Sequence, residues 1–567
     1  FHRREDKSKY WAKFDRLEKT PEELEDDPEC IASALFEKKI SIKDSDKITF
    51  VYKFKEQNFK LKEGDAAFDI ISDTSFGTIT KITEIKDDEN YIECTLGQKR
   101  LDKVGEPPKN FDFGPSAIVN SGTIASALNK FIVDYSESKQ TKYKCAEDIL
   151  KNNYPDVAGI KQGDAIIDIK KDLVEESILV VKKLNSSFLL VQGPPGSGKT
   201  YTSAKIILSL LKDNKKVGIT SNSHKAINNL LTQIEELAEE EKFTFKGLKK
   251  SSKEEQRLNG KIIEDVSGRM KEFPKDYLLH AGTAWLFSDP RYDLKMDYLF
   301  VDEAGQVALA NTLAIATSTK NIILIGDQMQ LSQPIQGIHS GNSGKSALDF
   351  LLEGEDTIPV SRGIFLSETR RLNKKICDYI SSSFYDFRLK PHPVTSERSL
   401  ELDLKNIKNE GIVFLPTDHK DCTQKSDEEA KIIKDYYSKI IGKGSIDVGK
   451  KKKITQDDIM VVTPFNMQVN NLKKIINQNE AKIGTIDKFQ GQQSKVVFIS
   501  MTSSDPENLP RHKEFFFSRN RLNVGISRAQ SLAIILFNPS LLLANCQKIN
   551  EMRLVNNFCK LLKYKIQ

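Results

Sequence analysis

The stretch FLLVQGPPGSGKT, Phe188–Thr200, decides the fold. FLLVQ is a short apolar run of the kind that fills a buried parallel strand. The next eight residues, Gly193, Pro194, Pro195, Gly196, Ser197, Gly198, Lys199 and Thr200, match G-x-x-x-x-G-K-[ST]. Glycines there let the chain wrap phosphate oxygens with backbone N–H groups. The helix expected from Thr200 and Tyr201 onward adds the partial positive charge of its N-terminus. Lys199 supplies a point charge for β- and γ-phosphates, and the Thr200 hydroxyl suits Mg²⁺. Strand, loop and helix in that order are the context the motif requires, so ATP and Mg²⁺ are the expected ligands.

Working downstream, YLFVDEAGQ at Tyr298–Gln306 is a second apolar strand that delivers two carboxylates to its C-terminal end. Asp302 is placed to hold Mg²⁺ and Glu303 to orient and deprotonate an attacking water. IILIGDQMQLSQP at Ile322–Pro334 is a third strand, with Asp327 and Gln330 where a γ-phosphate could be sensed. In a parallel sheet all these strand ends lie on one edge, where such folds bind ligands. The strand–helix alternation predicts a doubly wound α/β fold from Phe188 onward. Residues 238–275 are rich in Lys and Glu without apolar periodicity and read as an exposed helical insertion. A second α/β series is expected from about Gly363, through GIFL, GIVFL, IMVVTP, KVVFIS and LAIILF. Lys450–Lys453 reads as a basic loop, solvated or strand-binding.

Upstream, Tyr10, Trp11, Phe14 and Leu17 have helical spacing, and β-rich pieces from Lys47 to Leu96 predict a small antiparallel barrel or sheet. The expected division is 1–130 for a helical stalk and barrel, 131–180 for a helical connection, 181–352 for the first α/β domain with its insertion at about 234–280, and 353–567 for the second.

Composition sets the outer bounds. The chain has 567 residues, enough for several domains, and no apolar run long enough to span a bilayer, so no membrane partner is expected. Lys and Arg number 86 against 80 Asp and Glu, a net +6 that permits a nucleic-acid partner without demanding one. The seven cysteines form no C-x-x-C pair, which argues against zinc or an iron–sulfur cluster and for a reducing compartment, cytoplasmic or nuclear. A chain that opens on Phe1 reads as a fragment of a longer protein or a processed one.

GPPGSGKT, DEAGQ, GDQMQLSQP, ETRRLN, TPFNMQ, GTIDKFQGQQ and RLNVGISRAQ occur in the order seen in superfamily 1 helicases. The set resembles the 5′→3′ subgroup of the nonsense-mediated-decay helicase. SNSHKAINNLL and FVDEAGQV resemble a bacterial and archaeal branch in which the motor follows a RecB-like nuclease domain. The resemblance implies two RecA-like domains, an ATP-driven helicase acting on single-stranded nucleic acid, DNA favoured over RNA, and work in DNA repair. A monomer is expected, with any nuclease upstream of Phe1. It assigns Arg371 and Arg528 to the γ-phosphate from the second domain, and Gln490 and Gly491 to linking nucleotide with strand. Gln306 becomes a coupling residue. Ser223, Thr283 and Thr463 become backbone contacts, with Phe465 or Trp285 available for base stacking or, equally, for core packing. Four residues at three places depart from the pattern. Gln493 stands where a Glu is common. Arg370 replaces the aromatic that stacks on adenine. Glu175 and Glu176 lie where an adenine-reading Gln is expected. Gln493 keeps open an ATP-switched nucleic-acid-binding clamp or remodeller with little unwinding.

Lys199→Ala is expected to abolish ATP hydrolysis, measured as phosphate release; retained turnover would remove the phosphate loop from the catalytic site.

Overall fold

Period-two burial builds the N-terminal unit. In Asn90–Gly97 every second residue faces inward, so Ile92, Cys94 and Leu96 are buried while Tyr91, Glu93 and Thr95 are only half-buried. Six such strands close on themselves: β1 (Ile31–Ser41), β2 (Lys47–Phe54), β3 (Ala66–Asp69), β4 (Thr74–Thr83), β5 (Asn90–Gly97) and β6 (Asn110–Gly114). All pairings are antiparallel, in the order β1-β2-β5-β4-β3-β6. Closure removes the open edges a free sheet would carry. Phe50, Tyr52, Phe111 and Phe113 fill the interior. The expected barrel-or-sheet is therefore a barrel.

This computed structural model describes residues 1–567 except 42–44, 56, 58, 84–89, 116–119, 139, 269, 448, 478–479, 490, 508, 510–512 and 564–567. The barrel belongs to a unit formed by Phe1–Gly122 with Ile335–Ser340; Thr123–Pro334 and Gly341–Gln567 form the other. Within the first unit, the helix His2–Glu18 holds the Ile335–Ser340 segment. Glu5 accepts from Gly337 N and meets His339 Nε2 at 2.6 Å.

The second unit has two large sheets built mostly from strands buried on both faces. Its first sheet contains β7 (Phe188–Gln192), β8 (Val217–Thr220), β9 (Gly247–Lys250), β10 (Ile263–Val266), β11 (Leu279–Ala281), β12 (Met296–Val301), β13 (Thr319–Gly326) and β14 (Gly363–Phe365). All its pairings are parallel, in the order β10-β9-β11-β8-β12-β13-β7-β14. Two readings of the sequence change here. The segment read as a helical insertion is helical only to Glu240, where His224–Glu240 ends; its remainder carries β9 and β10, which widen the parallel sheet. Leu248 and Ile263 are the buried apolar residues that dock them. Gly363–Phe365, read as the start of the second series, pairs with β7 in the first sheet. Gly363 fits there because a side chain would strike Leu190 O at 2.3 Å.

Beyond it come β15 (Glu368–Thr369), β16 (Lys390–Pro391), β17 (Ser399–Glu401), β18 (Gly411–Pro416), β19 (Gly444–Asp447), β20 (Lys450–Lys453), β21 (Ile459–Thr463), β22 (Lys482–Thr485), β23 (Ser494–Ser500) and β24 (Ala529–Phe537). Five make the second parallel sheet, β18-β24-β23-β21-β22. β17, β19 and β20 form a small antiparallel sheet, so Lys450–Lys453 is an exposed strand rather than a loop. One apolar core runs from Leu190 and Leu324 through Tyr379, Ile380 and Phe384 to Phe414 and Ile535, joining the two sheets. The architecture is α/β: two parallel-sheet RecA-like cores, a small barrel and helices. Among the described residues, no helix is long and apolar enough to cross a membrane.

Gly77 in β4 has φ +99°, and a Cβ there would lie 2.2 Å from Thr95 O of β5. Gly77→Ala is expected to cost about 2 kcal/mol of barrel stability. Urea unfolding checks this, and an unmoved midpoint would mean that the strand relaxes around the methyl.

Candidate functional site: a phosphate cleft between two parallel sheets

The C-terminal edge of the first sheet carries the phosphate loop between β7 and the helix Lys199–Lys212. Gly196 and Gly198 have φ of +72° and +80°, the left-handed region open to glycine. A Cβ on Gly193 would lie 2.1 Å from Lys199 Cγ, so the lysine stem lies flat against the loop. Its ammonium donates to Gly193 O at 2.6 Å. Thr200 follows on the first turn of the helix, half-buried. Tyr201 beyond it is exposed, with the Lys205 ammonium 5.9 Å over its ring.

β12 ends at the carboxylates. The Asp302 pKa is raised to about 7, first by burial, next by the neighbouring Glu303 charge, with Lys199 opposing both. Glu303 has φ +53°, a left-handed conformation uncommon for a side-chain-bearing residue. Its N–H donates to Asp302 Oδ1 at 3.0 Å. A hard divalent cation suits this crowding of oxygen donors, with the Thr200 hydroxyl as a further ligand.

The opposite wall descends from the segment after β14. Thr369, fully buried, donates its hydroxyl to Pro195 O at 2.8 Å and accepts from Arg371 N at 3.2 Å. Arg370 N donates to Gly196 O at 2.9 Å. A Cβ on Gly196 would come within 2.3 Å of Arg371 Cβ, so only glycine lets the two loops meet this closely. Burial draws the Arg371 pKa down to about 10, with Glu303 opposing. Arg528, at the end of the helix Arg519–Ser527, is 1% exposed. Its pKa falls to about 9, first through burial and then through Arg371. Nη1 of Arg528 donates to Gln492 O at 3.0 Å. Among the described residues, Arg371 Nε, Arg528 Nε and Nη2, and Ser197 Oγ are buried without a hydrogen-bond partner. Buried donors without acceptors are costly. A polyphosphate would satisfy all of them, so the residues fit ATP with a divalent cation.

Other candidates divide. Gln330 and Asp327 are buried against each other at 2.7 Å. Arg370 is exposed beside the cleft. Gly491, with φ +81°, and Gln493 are exposed on the loop that holds Arg528; Gln490 lies outside the described residues. Glu176 accepts from Asp168 N and thus braces its own loop. Ser223 and Thr283 follow β8 and β11 on the same edge as the phosphate loop. Ser223 is exposed and accepts from Ala226 N, and its O–H remains able to donate. Gln306 has its carbonyl bonded to Asn222, and its Nε2 is buried without a partner among the described residues. Trp285 is 41% exposed. Two candidates do not present a surface to a strand. Thr463 is fully buried at the end of β21, and Phe465 packs against Phe515 and Phe516. Sequence reasoning missed Thr369, Tyr385, Asn520 and Asn523. The last two lie three apart on the helix Arg519–Ser527, Asn523 inside RLNVGISRAQ and Asn520 just ahead of it, a spacing that marks a shared face.

Two family models, each described as an AAA domain, match residues 176–335 and 346–540. DNA polymerase alpha-associated DNA helicase A of Schizosaccharomyces pombe is 23% identical over 496 residues, covering 73% of this chain and 72% of that protein. DNA replication ATP-dependent helicase/nuclease dna2 of the same organism is 24% identical over 432 residues, covering 70% of this chain and 30% of that protein. The chain thus spans less than a third of that helicase/nuclease. Among solved structures, Arterivirus nonstructural protein 10 (helicase) with DNA aligns over 88% of this chain and 76% of its own, at 14% identity and a TM-score of 0.38.

Glu303→Gln is expected to keep ATP binding and stop turnover. Arg528→Ala is expected to bind ATP nearly as wild type and lose most hydrolysis, about 10³-fold or more for a cross-cleft arginine. A fluorescent-nucleotide titration beside phosphate release reads both, and wild-type turnover in either variant removes that residue from the chemistry.

Proposed function

We propose that this chain, a superfamily 1 helicase with two RecA-like domains, hydrolyses ATP between those domains and moves 5′→3′ along single-stranded DNA. One observation carries the reading: Arg371, half-buried, and Arg528, buried, come from beyond the first sheet and feel the Glu303 charge, with buried N–H donors that have no partner among the described residues. Such donors stabilise the charge that spreads over phosphoryl oxygens in transfer.

In this mechanism the phosphate loop and Lys199 hold the β- and γ-phosphates. Asp302 and Thr200 would hold Mg²⁺, which would supply neutralising charge for the phosphates when bound. Glu303 orients the attacking water and takes its proton. Arg371 and Arg528 complete the site only when the cleft is shut, which ties chemistry to domain movement. Arg370 and Tyr201 are the flat groups available to the base. Gln306 and the loop of Gln490 and Gly491 relay the nucleotide state to the strand. Ser223 and Thr283, on the same edge, touch the phosphodiester backbone, with Trp285 available for stacking. DNA is favoured because the relatives above are DNA helicases by name. A helicase/nuclease relative also supports placement in a branch whose motor follows a nuclease.

Steady-state ATP hydrolysis without polymer, with single-stranded DNA and with single-stranded RNA, at one moderate salt concentration, tests the proposal. Stimulation by DNA is the expected result. Stimulation by RNA alone reassigns the track. Basal hydrolysis that neither polymer changes favours an ATP-switched clamp, the reading that Gln493 supports.

A further inference from the structure

The loop after β13 is gripped by side chains from the second RecA-like domain. Tyr385, just past the helix Lys374–Phe384, donates its hydroxyl to Asp327 Oδ2 at 2.6 Å. Gln330 Nε2 donates to the same oxygen at 2.7 Å. Asp327 Oδ1 accepts from Met329 N at 3.2 Å and from Gln192 Nε2, at the end of β7, at 3.4 Å. On the far side of the phenol, Asn523 Nδ2 donates to the Tyr385 oxygen at 2.9 Å and to Met329 O at 2.8 Å. Asn520, one turn earlier, donates to the carbonyls of Gln328 and Gln330. Tyr385 and Asn523 are fully buried, Asp327 and Gln330 nearly so. Asp327 feels the Lys199 charge, and Tyr385 feels Arg528, so this relay runs beside the phosphate cleft.

We propose that Tyr385 is a positioning residue for hydrolysis: it holds Asp327, and through it Gln330, aligned with the phosphate cleft while the two RecA-like domains are together. The proposal deepens the reading of the chain as an ATP-driven motor and rests on it. A hydrogen bond from a hydroxyl to a carboxylate is short and about twice as strong as a neutral one. Tyr385 supplies that bond from the second domain, whereas the other donors to Asp327 among the described residues come from the first. Removing the hydroxyl leaves Oδ2 with Gln330 as its one partner among the described residues, and the amide is then free to turn away. The aromatic ring is not required for this; the oxygen is.

The test uses Tyr385→Phe, Asp327→Asn and the double variant in the full chain, with kcat and KM for ATP measured at saturating polymer. Tyr385→Phe is expected to lower kcat about tenfold and leave KM within about twofold. The double variant is expected to be no slower than Asp327→Asn alone, because the tyrosine acts through the carboxylate. If Asp327→Asn does not fold, Gln330→Ala takes its place in the cycle with the same expectation. A kcat for Tyr385→Phe within about twofold of wild type overturns the proposal. So do losses that multiply in the double variant, the signature of packing alone. A wild-type chain inert toward ATP with every polymer overturns the motor reading itself, an outcome distinct from an active wild type with an indifferent variant.

Discussion

Arg371 and Arg528 repel each other where little water remains to screen them. Burial lowers both pKa values, and the Arg371 charge lowers that of Arg528 further. Groups held against such a cost need a compensating anion or a framework rigid enough to impose it. This framework is specific. Thr369 bridges Pro195 O and Arg371 N, and the glycine at 196 lets the two loops touch. On the other side Gln492 O takes Arg528 Nη1. The arginines are thus fixed on two separate segments of the second domain, both within the field of Glu303.

The sheets supply the rest of the rigidity. Strands buried on both faces leave no freedom to slide, since a one-residue slip would exchange their two packed faces. β7, β12 and β13 lie side by side in the first sheet, or one strand removed, and end on one edge. The phosphate loop, the carboxylates and Asp327 are therefore neighbours because of strand order, not sequence distance. The widening of the same sheet by β9 and β10 extends that edge past Ser223 and Thr283.

The sequence made the chemistry more legible than the frame. Motifs with a phosphate-binding mechanism must follow strands, so Lys199, Asp302 and Glu303 could be placed before any coordinates. The two short strands β9 and β10 could not. GLKK and IEDV each carry few buried apolar residues in a Lys- and Glu-rich stretch, and partners far along the chain decide their state. Gly363–Phe365 misled for a related reason: three residues carry no label for which sheet they join. Thr463 and Phe465 show the limit of motif position, which reports order along a chain but not exposure. Packing against Phe515 and Phe516, some fifty residues later, is what hides Phe465. Tyr385 escaped because a lone tyrosine has no spacing to betray it.

β14 also sets a leash. The strand is stitched to β7, so the chain leaves the first domain only after Phe365. Arg371 follows six residues later. Even fully extended, that stretch reaches about 20 Å. However far the second domain swings, this arginine stays tethered within that radius of the strand that carries the phosphate loop. In the proposed motor, each cycle of opening would therefore begin with one arginine already near its target, and the search for the closed state would be short by construction.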